Sequence, residues 1–387
     1  MKVLHVIPGV AARYGGPSQA VLAMCRALME RRVDVLMVST DADGPGRLSV
    51  TNGRPCEYEG VPTIFFPRQW SEAFKYSYPL GHWFKANVRD FDVVHVHAVF
   101  SHSSVAAARA CRRHGVPYVV RPLGSLSSWS MGQKPLRKRV MWGIGVRQML
   151  DGARRIHYTT LGEKDSSVYN AGPSRGAVVP LGAKVGEAVG QVTRSKQNFL
   201  APGANPYVLV LCRLHPVKNL ELFLQAFLEV TQTEKFRHWK LLIAGDGERD
   251  YVAHLKSLVP KGDERVRFTG WLDEKDKTVA IRGASLMALP SRHENFGLSV
   301  VEALMHKVPV FISRQVSLAA EIEAARAGWV VELEQSAMEE SLAAALEDTA
   351  GRRVRGLSGY ELAHARFTWP RVAAQLVEMY DSISEQA

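Results

Sequence analysis

Short runs of uninterrupted apolar residues, separated by stretches of helical periodicity, recur from one end of this 387-residue chain to the other. A strand that is apolar at every position needs cover on both faces. Such strands alternating with helices imply a parallel sheet between helical layers. In the first half the strand candidates are KVLHVIP, DVLMVST, DVVHVHA, VPYVVRP and RIHYTT. The helix SQAVLAMCRALMERR puts Val21, Met24, Ala27 and Leu28 on one face, and another runs from Ser104 to about His114. The stretch from 40 to 90, rich in Pro, Gly and aromatic residues, follows no such order. VVPLGAKV closes this half, and a polar, Gly-rich span follows. The alternation then restarts with YVLVLCRL, NLELFLQAFLEV, WKLLIAGDG, RDYVAHLKSLV, VRFTGW, SLMALPS, LSVVEALMH, VPVFIS and GWVVEL.

A chain of this length exceeds one hydrophobic core. The expectation is an α/β protein with two Rossmann-like domains facing each other across a cleft, where a shared ligand would sit. The boundaries read as 1–185 for the first domain, 186–205 for a linker and 206–365 for the second domain.

Composition narrows the class. Hydrophobic residues make up 46% and charged residues 22%, ordinary values for a soluble globular protein. No apolar run approaches the eighteen or so residues that a membrane span needs. MKVLHVIPGV resembles a signal peptide at first sight, but Pro8 and Gly9 cut it short and it reads better as a buried strand. Cys25, Cys56, Cys111 and Cys212 have neither metal-ligand nor redox spacing, which points to a reducing, cytoplasmic location. The net charge of +11 is uneven. Residues 1–185 hold 25 Lys and Arg against 12 Asp and Glu, whereas residues 186–387 hold 24 against 26. The first half therefore suits an anionic partner.

The segment PSRHENFGLSVVEA, from Pro290 to Ala303, carries the sharpest signal. The apolar strand before it delivers Glu294 to a loop at its C-terminal end, where open α/β sheets bind ligands. From Gly297 onward, Leu298, Val301, Glu302 and Leu304 fit a helix with one apolar face. The unpaired N–H groups at the start of that helix suit a phosphate. Two carboxylates with an anion cradle between them would fit a sugar and a ribose joined by a diphosphate.

This pattern resembles the Glu-x7-Glu signature of retaining glycosyltransferase family 4, whose fold is GT-B. The resemblance implies that Glu294 contacts hydroxyls of a donor sugar and that Glu302 accepts from the nucleotide ribose. Asn295, Phe296, Gly297 and Leu298 would then line the sugar and phosphate. CRLHPVKNLELFL resembles the family's G-R-L-x-x-x-K-N segment, with Cys212 where Gly is usual. Arg213 and Lys218 would neutralise the diphosphate as a leaving group, and Asn219 is placed to cap the following helix. The turn at Gly245, Asp246 and Gly247 is also familiar in the family. FTWPRVAAQLVEMYDSI looks like the GT-B C-terminal helix that returns to the first domain, at about 366–387.

In the first half, Tyr14-Gly15-Gly16-Pro17 is not a G-x-G-x-x-G fingerprint, which counts against an NAD site. In the family this loop faces the diphosphate and the acceptor, which assigns Gly15 and Gly16 to ligand binding. DVVHVHAVFSHSS places His95 and His97 on one face of a strand and His102 beyond it. No carboxylate or thiol completes a metal set, and His97 is the candidate to polarise a hydroxyl. The family pattern P-H-G appears as Pro122-Leu123-Gly124, so Leu123 stands where a His is expected. Asp41-Ala42-Asp43 mimics a D-x-D metal motif of another fold but reads as a polar loop. The resemblance implies no metal and no cofactor.

The basic run KPLRKRVMWGIGVRQMLDGARR spans Lys134 to Arg155. It reads either as a packed helix with a cationic face or as a docking surface for an anionic membrane or a lipid-linked acceptor. No nucleic-acid reader is evident. The expected function is retaining transfer of a glycosyl group from a nucleotide sugar to an acceptor sugar or lipid-linked sugar, in polysaccharide or glycolipid biosynthesis. Peripheral contact with the cytoplasmic membrane is part of that expectation. The alternatives are a sugar-nucleotide epimerase on the same fold and a non-catalytic binder of phosphosugars or membranes.

Overall fold

The computed structural model describes residues 1–183 and 205–384. The linker read at 186–205 therefore lies, apart from Asn205, outside the described residues. The chain divides into two compact units, Met1–Gly182 with Trp369–Ala387, and Ala183–Thr368.

The first unit contains β1 (Lys2–Gly9), β2 (Asp34–Thr40), a short ribbon of β3 (Ala42–Asp43) and β4 (Gly46–Arg47), β5 (Pro55–Tyr58) and β6 (Val61–Phe66). It continues with β7 (Val93–His97), β8 (Tyr118–Arg121), β9 (Arg155–Tyr158) and β10 (Gly176–Val178). All but the ribbon form one sheet in the order β10-β9-β8-β7-β1-β2-β6-β5. Its pairs are parallel except for β5 and β6, which are antiparallel. That pair, the ribbon and one helix supply the order that the sequence did not reveal between 40 and 90.

The helices of this unit are α1 (Gly16–Glu30), α2 (Tyr78–Asn87), α3 (His102–His114), α4 (Ser128–Gly132), α5 (Pro135–Met141), α6 (Arg147–Asp151) and α7 (Leu161–Asp165). Local chemistry sets their ends. The Ser101 side chain accepts from the Ser104 N–H, so α3 begins at His102, two residues before the start read from periodicity. Gly115, with φ 74°, ends it in the left-handed conformation that a Cβ would disfavour. Leu4, Val6, Val94, Val96, Val120 and Ile156 of the sheet pack with Leu80, Phe84 and Cys111. Each fully buried aliphatic or aromatic side chain contributes about 1.5–3 kcal/mol.

The second unit contains β11 (Tyr207–Leu211), β12 (Lys240–Ala244), β13 (Val266–Gly270), β14 (Leu286–Leu289), β15 (Val310–Ser313) and β16 (Gly328–Val331). They form an all-parallel sheet in the order β13-β12-β11-β14-β15-β16. Its helices are α8 (Leu220–Val230), α9 (Arg249–Ser257), α10 (Glu274–Gly283), α11 (Leu298–Met305), α12 (Ala319–Ala324), α13 (Gln335–Glu347) and α14 (Thr349–Arg366). Val208, Val210, Leu241, Ile243, Leu286 and Phe311 pack with Phe223, Phe227 and Leu342. The last helix, α15 (Trp369–Ser384), belongs to the first unit, where it lies against α1.

Strand order reverses between β1 and β7 in the first sheet and between β11 and β14 in the second. At such a reversal the following helices lie on opposite faces, and the loops part to leave room for a ligand.

Candidate active site

In the second unit, the two strands that flank the reversal deliver the residues singled out by sequence. The loop after β11 carries Arg213 and Lys218, and the loop after β14 carries Glu294. Lys218 Nζ forms an ion pair with Glu294 Oε2, both side chains being largely buried, while Arg213 is exposed. Backbone bonds hold Glu294 in place. Its N–H donates to the Gln315 carbonyl at 3.3 Å, and its carbonyl accepts from Ser317 at 3.0 Å. The carboxylate is thus carried on a braced, extended segment, not on a free loop.

Gly297 stands at the N-cap of α11 with φ 83°, a left-handed backbone that favours glycine. A Cβ there would also approach Val300 Cγ2 to 3.3 Å. The first N–H groups of α11, at Leu298 and Ser299, have no acceptor within their own helix and carry its partial positive charge. Asn295 is half-buried in the same loop. Glu302 lies on the second turn of α11, where its Oε1 accepts from Lys277 Nζ of α10 at 2.9 Å. Lys277 also reaches Glu274 Oε1 at 2.9 Å. Burial disfavours its ammonium, but Glu302 and Glu274 outweigh that and raise its pKa. Sequence reasoning missed Lys277 because α10 is distant along the chain and an isolated Lys carries no motif.

The glycine turn after β12 has a packing reason. A Cβ on Gly245 would collide with the Cys212 carbonyl oxygen, and one on Gly247 with that of Leu214. The Leu214 N–H donates to the Asp246 carbonyl at 2.8 Å. The two glycines therefore let the turn lie directly on the segment that carries Arg213.

Two expectations for this unit are corrected. Phe296 does not line a ligand surface: it is 3% exposed and packs edge-on against Phe367 at 5.8 Å. Apolar burial claims that ring and leaves only its backbone near the loop. Asn219 does not cap α8 through its side chain. Its backbone is left-handed (φ 53°), and its Oδ1 accepts from Arg292 Nε at 2.9 Å, which ties the two loops together.

In the first unit, Gly15 (φ 73°) and Gly16 form the start of α1, with Pro17 beside them, and a Cβ on Gly15 would meet nothing within 4 Å. His97, at the end of β7, is corrected: its ring is fully buried. It belongs to a polar layer on one face of the sheet made by His5, His95, His97, Arg121 and His157, with Tyr380 of α15 joined to it. His5 Nδ1 and His97 Nε2 are 3.0 Å apart, and His157 Nδ1 and His95 Nε2 are 3.2 Å apart. His95 Nδ1 and the Tyr380 hydroxyl are 2.8 Å apart. Burial first, then Arg121, holds His5 and His157 down at about 3. Burial and the neighbouring rings also hold His95 and His97 well below the ordinary range. Register explains the cluster, because His5 pairs with His95 and His97 with Arg121 on adjacent strands. Histidines inside otherwise apolar strands were the only available signal for it.

Leu123, in the position where a His was expected, follows β8 with φ 57°, a strained backbone for a residue with a Cβ. In the basic run, Leu136 and Val140 of α5 and Ile144 just beyond it are 77%, 58% and 61% exposed. Leu136 and Val140, four residues apart, share a face of α5, and Ile144 extends the row into the π-helical turn Trp142–Val146, which Gly145 interrupts. Lys134, Arg137, Arg139 and Arg147 flank that row, and no helix among the described residues is long and apolar enough to cross a membrane.

The family model described as "Glycosyl transferase 4-like domain" matches residues 15–182, and the one described as "Glycosyl transferases group 1" matches 191–360. The D-inositol 3-phosphate glycosyltransferase of Mycobacteroides abscessus is 25% identical, over 95% of this chain and 84% of its own length. The phosphatidyl-myo-inositol mannosyltransferase of Mycobacterium leprae is 27% identical, over 76% of this chain and 74% of its own. Among solved structures, Anabaena HepE in complex with UDP and glucose superposes with a TM-score of 0.75 at 19% identity, covering 99% of this chain and all of that one. Sucrose-phosphate synthase from Thermosynechococcus elongatus does so with a TM-score of 0.78 at 17% identity, covering 100% of both. Alternating strands, two sheets of like topology and matching family models over nearly all of the sequence converge on one assignment: the chain is a glycosyltransferase and belongs to family 4, with the GT-B fold.

Proposed function

We propose that this glycosyltransferase moves a sugar from a nucleotide-sugar donor to an acceptor hydroxyl with retention at the anomeric carbon. The observation that carries the proposal is the Lys218–Glu294 pair at the reversal of the second sheet, beside the start of α11. A diphosphate beside α11 would meet the helix N–H groups and the cations Arg213 and Lys218, and would compete with Glu294 for Lys218. Glu294, partly released, then accepts from hydroxyls of the donor sugar, and Glu302 accepts from the ribose. Gly15 and Gly16 let backbone of the first unit approach a ligand closely. The bond from C1 to the phosphate oxygen breaks as the bond from C1 to the acceptor oxygen forms on the same face. The acceptor proton passes to the departing phosphate, so no protein nucleophile and no metal is needed. Stabilising the charge on that phosphate is the main catalytic contribution.

Polysaccharide or glycolipid assembly fits the exposed row of Leu136, Val140 and Ile144 among cations. Such a face can lie on an anionic membrane that presents a lipid-linked acceptor. The solved HepE complexes hold UDP and UDP-glucose, which supports a nucleotide-sugar donor here.

The test is a screen of UDP-, GDP- and ADP-sugars for hydrolysis and transfer, with products analysed with and without acceptor. Glu294→Ala should remove most of the transfer, and undiminished transfer would refute its role. A changed nucleotide sugar without transfer would indicate an epimerase. Flotation with anionic vesicles should fail when Leu136, Val140 and Ile144 are changed together to Ser. Unchanged flotation would refute docking through that row.

A further inference from the structure

Beside the glycine loop of the first unit lies a group of aromatic rings that the proposed transfer does not use. The segment after β6 folds back on itself, with the Gln69 N–H donating to the Tyr76 carbonyl at 2.8 Å. Trp70 stacks on Tyr76 with centroids 4.5 Å apart and planes 17° from parallel. Tyr76 in turn lies against His102, the first residue of α3, at 4.4 Å. Tyr76 therefore covers one face of the indole. Trp70 is nonetheless 72% exposed, so its other face is open to solvent.

Hydrogen bonds tie down the support beneath these rings. The Ser77 N–H donates to His102 Nδ1 at 3.3 Å, and the His102 N–H to the Phe74 carbonyl at 3.0 Å. The Tyr14 hydroxyl donates to Glu72 at 2.5 Å, which ties the segment to the loop that carries Gly15 and Gly16. The platform thus stands over the C-terminal ends of β1, β6 and β7, the ligand-binding edge of such a sheet.

Local charge indicates what could rest there. Arg68 and Lys75 are both paired with Glu72, at 2.8 and 2.9 Å. Arg13 is paired with Asp43 at 2.6 Å, and Arg47 with Asp41 at 3.4 Å. These four cations share three carboxylates, Glu72 serving two of them, and Arg137 donates to the Ala73 carbonyl at 2.6 Å. Each cation here is already engaged within the protein, which weakens its pull on a phosphate. Gln69 uses its amide oxygen to accept from the Tyr78 N–H at 2.6 Å, which leaves its exposed amide nitrogen as a donor for a hydroxyl. An open aromatic face with a neutral donor beside it complements a neutral ring with polarised C–H groups on one side and hydroxyls around its rim.

We propose that the open face of Trp70 is a binding subsite for a pyranose ring of a saccharide acceptor, which rests on the transfer reaction proposed above. The subsite makes the acceptor a carbohydrate and gives Trp70 a part in selecting it.

The experiment is saturation-transfer NMR on the full chain with the methyl α- and β-pyranosides of glucose, galactose and mannose. Ring C–H protons of at least one glycoside should be saturated, with affinity falling about tenfold in Trp70→Ala and largely kept in Trp70→Phe. Trp70 is exposed, so the substitution should not unfold the protein, and circular dichroism checks this. No saturation of any glycoside by the unaltered chain, or equal saturation in Trp70→Ala, overturns the proposal. So does an effect of Trp70→Ala confined to UDP binding or to anionic-vesicle binding, which would make the indole a nucleobase shelf or a membrane anchor. If the glycosides bind through Trp70 but no nucleotide sugar is turned over by the unaltered chain, the transfer reading fails while the subsite stands.

Discussion

Lys218 and Glu294, 76 positions apart in the chain, form an ion pair across the strand-order reversal of the second sheet. Each comes from the loop of a different strand, and the two side chains are only 14% and 18% exposed. Limited solvent access makes the pair interact more strongly than a surface pair would. It also means that removing either partner leaves a poorly hydrated charge.

Lys218→Ala should therefore lower kcat by about 100- to 1,000-fold if the ammonium neutralises the departing phosphate. Steady-state kinetics on whichever nucleotide sugar is turned over would measure it. A change confined to KM would make Lys218 a ground-state contact instead.

Glu302 and Lys277 should behave differently. Losing a charge-assisted hydrogen bond to a ribose hydroxyl should raise the donor KM by about tenfold in Glu302→Ala, with kcat less affected. Lys277→Met should reproduce part of that rise, since Lys277 holds Oε1 of Glu302. Equal KM values for the unaltered chain and Glu302→Ala would remove Glu302 from donor binding.

Gly245→Ala and Gly247→Ala should destabilise the second unit by about 1–3 kcal/mol each, the range for forcing a methyl into packed backbone. The added Cβ collides with a carbonyl oxygen of the adjoining strand end at both positions, and backbone cannot rotate away as a side chain can. Gly15→Ala should be milder because its site is open, although φ 73° still imposes strain. Urea unfolding of the three variants would establish the order.

The buried histidine layer predicts acid sensitivity. In the unfolded chain His5, His95, His97 and His157 take up protons as pH falls through about 6.5. In the folded protein burial holds them neutral, with His5 and His157 charging only near about 3. The unfolded state thus binds more protons below about pH 6.5, and stability falls with pH by up to about 1.4 kcal/mol per unit for each ring. Above pH 7 these rings add no pH dependence. The urea midpoint for the first unit should be steady from pH 8 to 7 and fall steeply from 6 to 5. A midpoint unchanged down to pH 5 would contradict neutral burial.

Much of this protein was determined by sequence alone. Fully apolar strands between helices specify parallel sheets, because only cover on both faces satisfies them, and that pattern occurs twice. A carboxylate placed just after such a strand is carried to the ligand-binding edge by the strand itself, as Glu294 is. Other features depended on the tertiary structure. Lys277 meets Glu302, and Asn219 holds Arg292, through contacts between loops and helices remote in the chain. The fate of a ring at a strand or loop position is also decided by what lies over it. Phe296 has Phe367, and His97 has a layer of histidines from neighbouring strands, whereas Trp70 has one face open. Periodicity is a property of one segment, while burial and pairing are properties of all the segments that meet there.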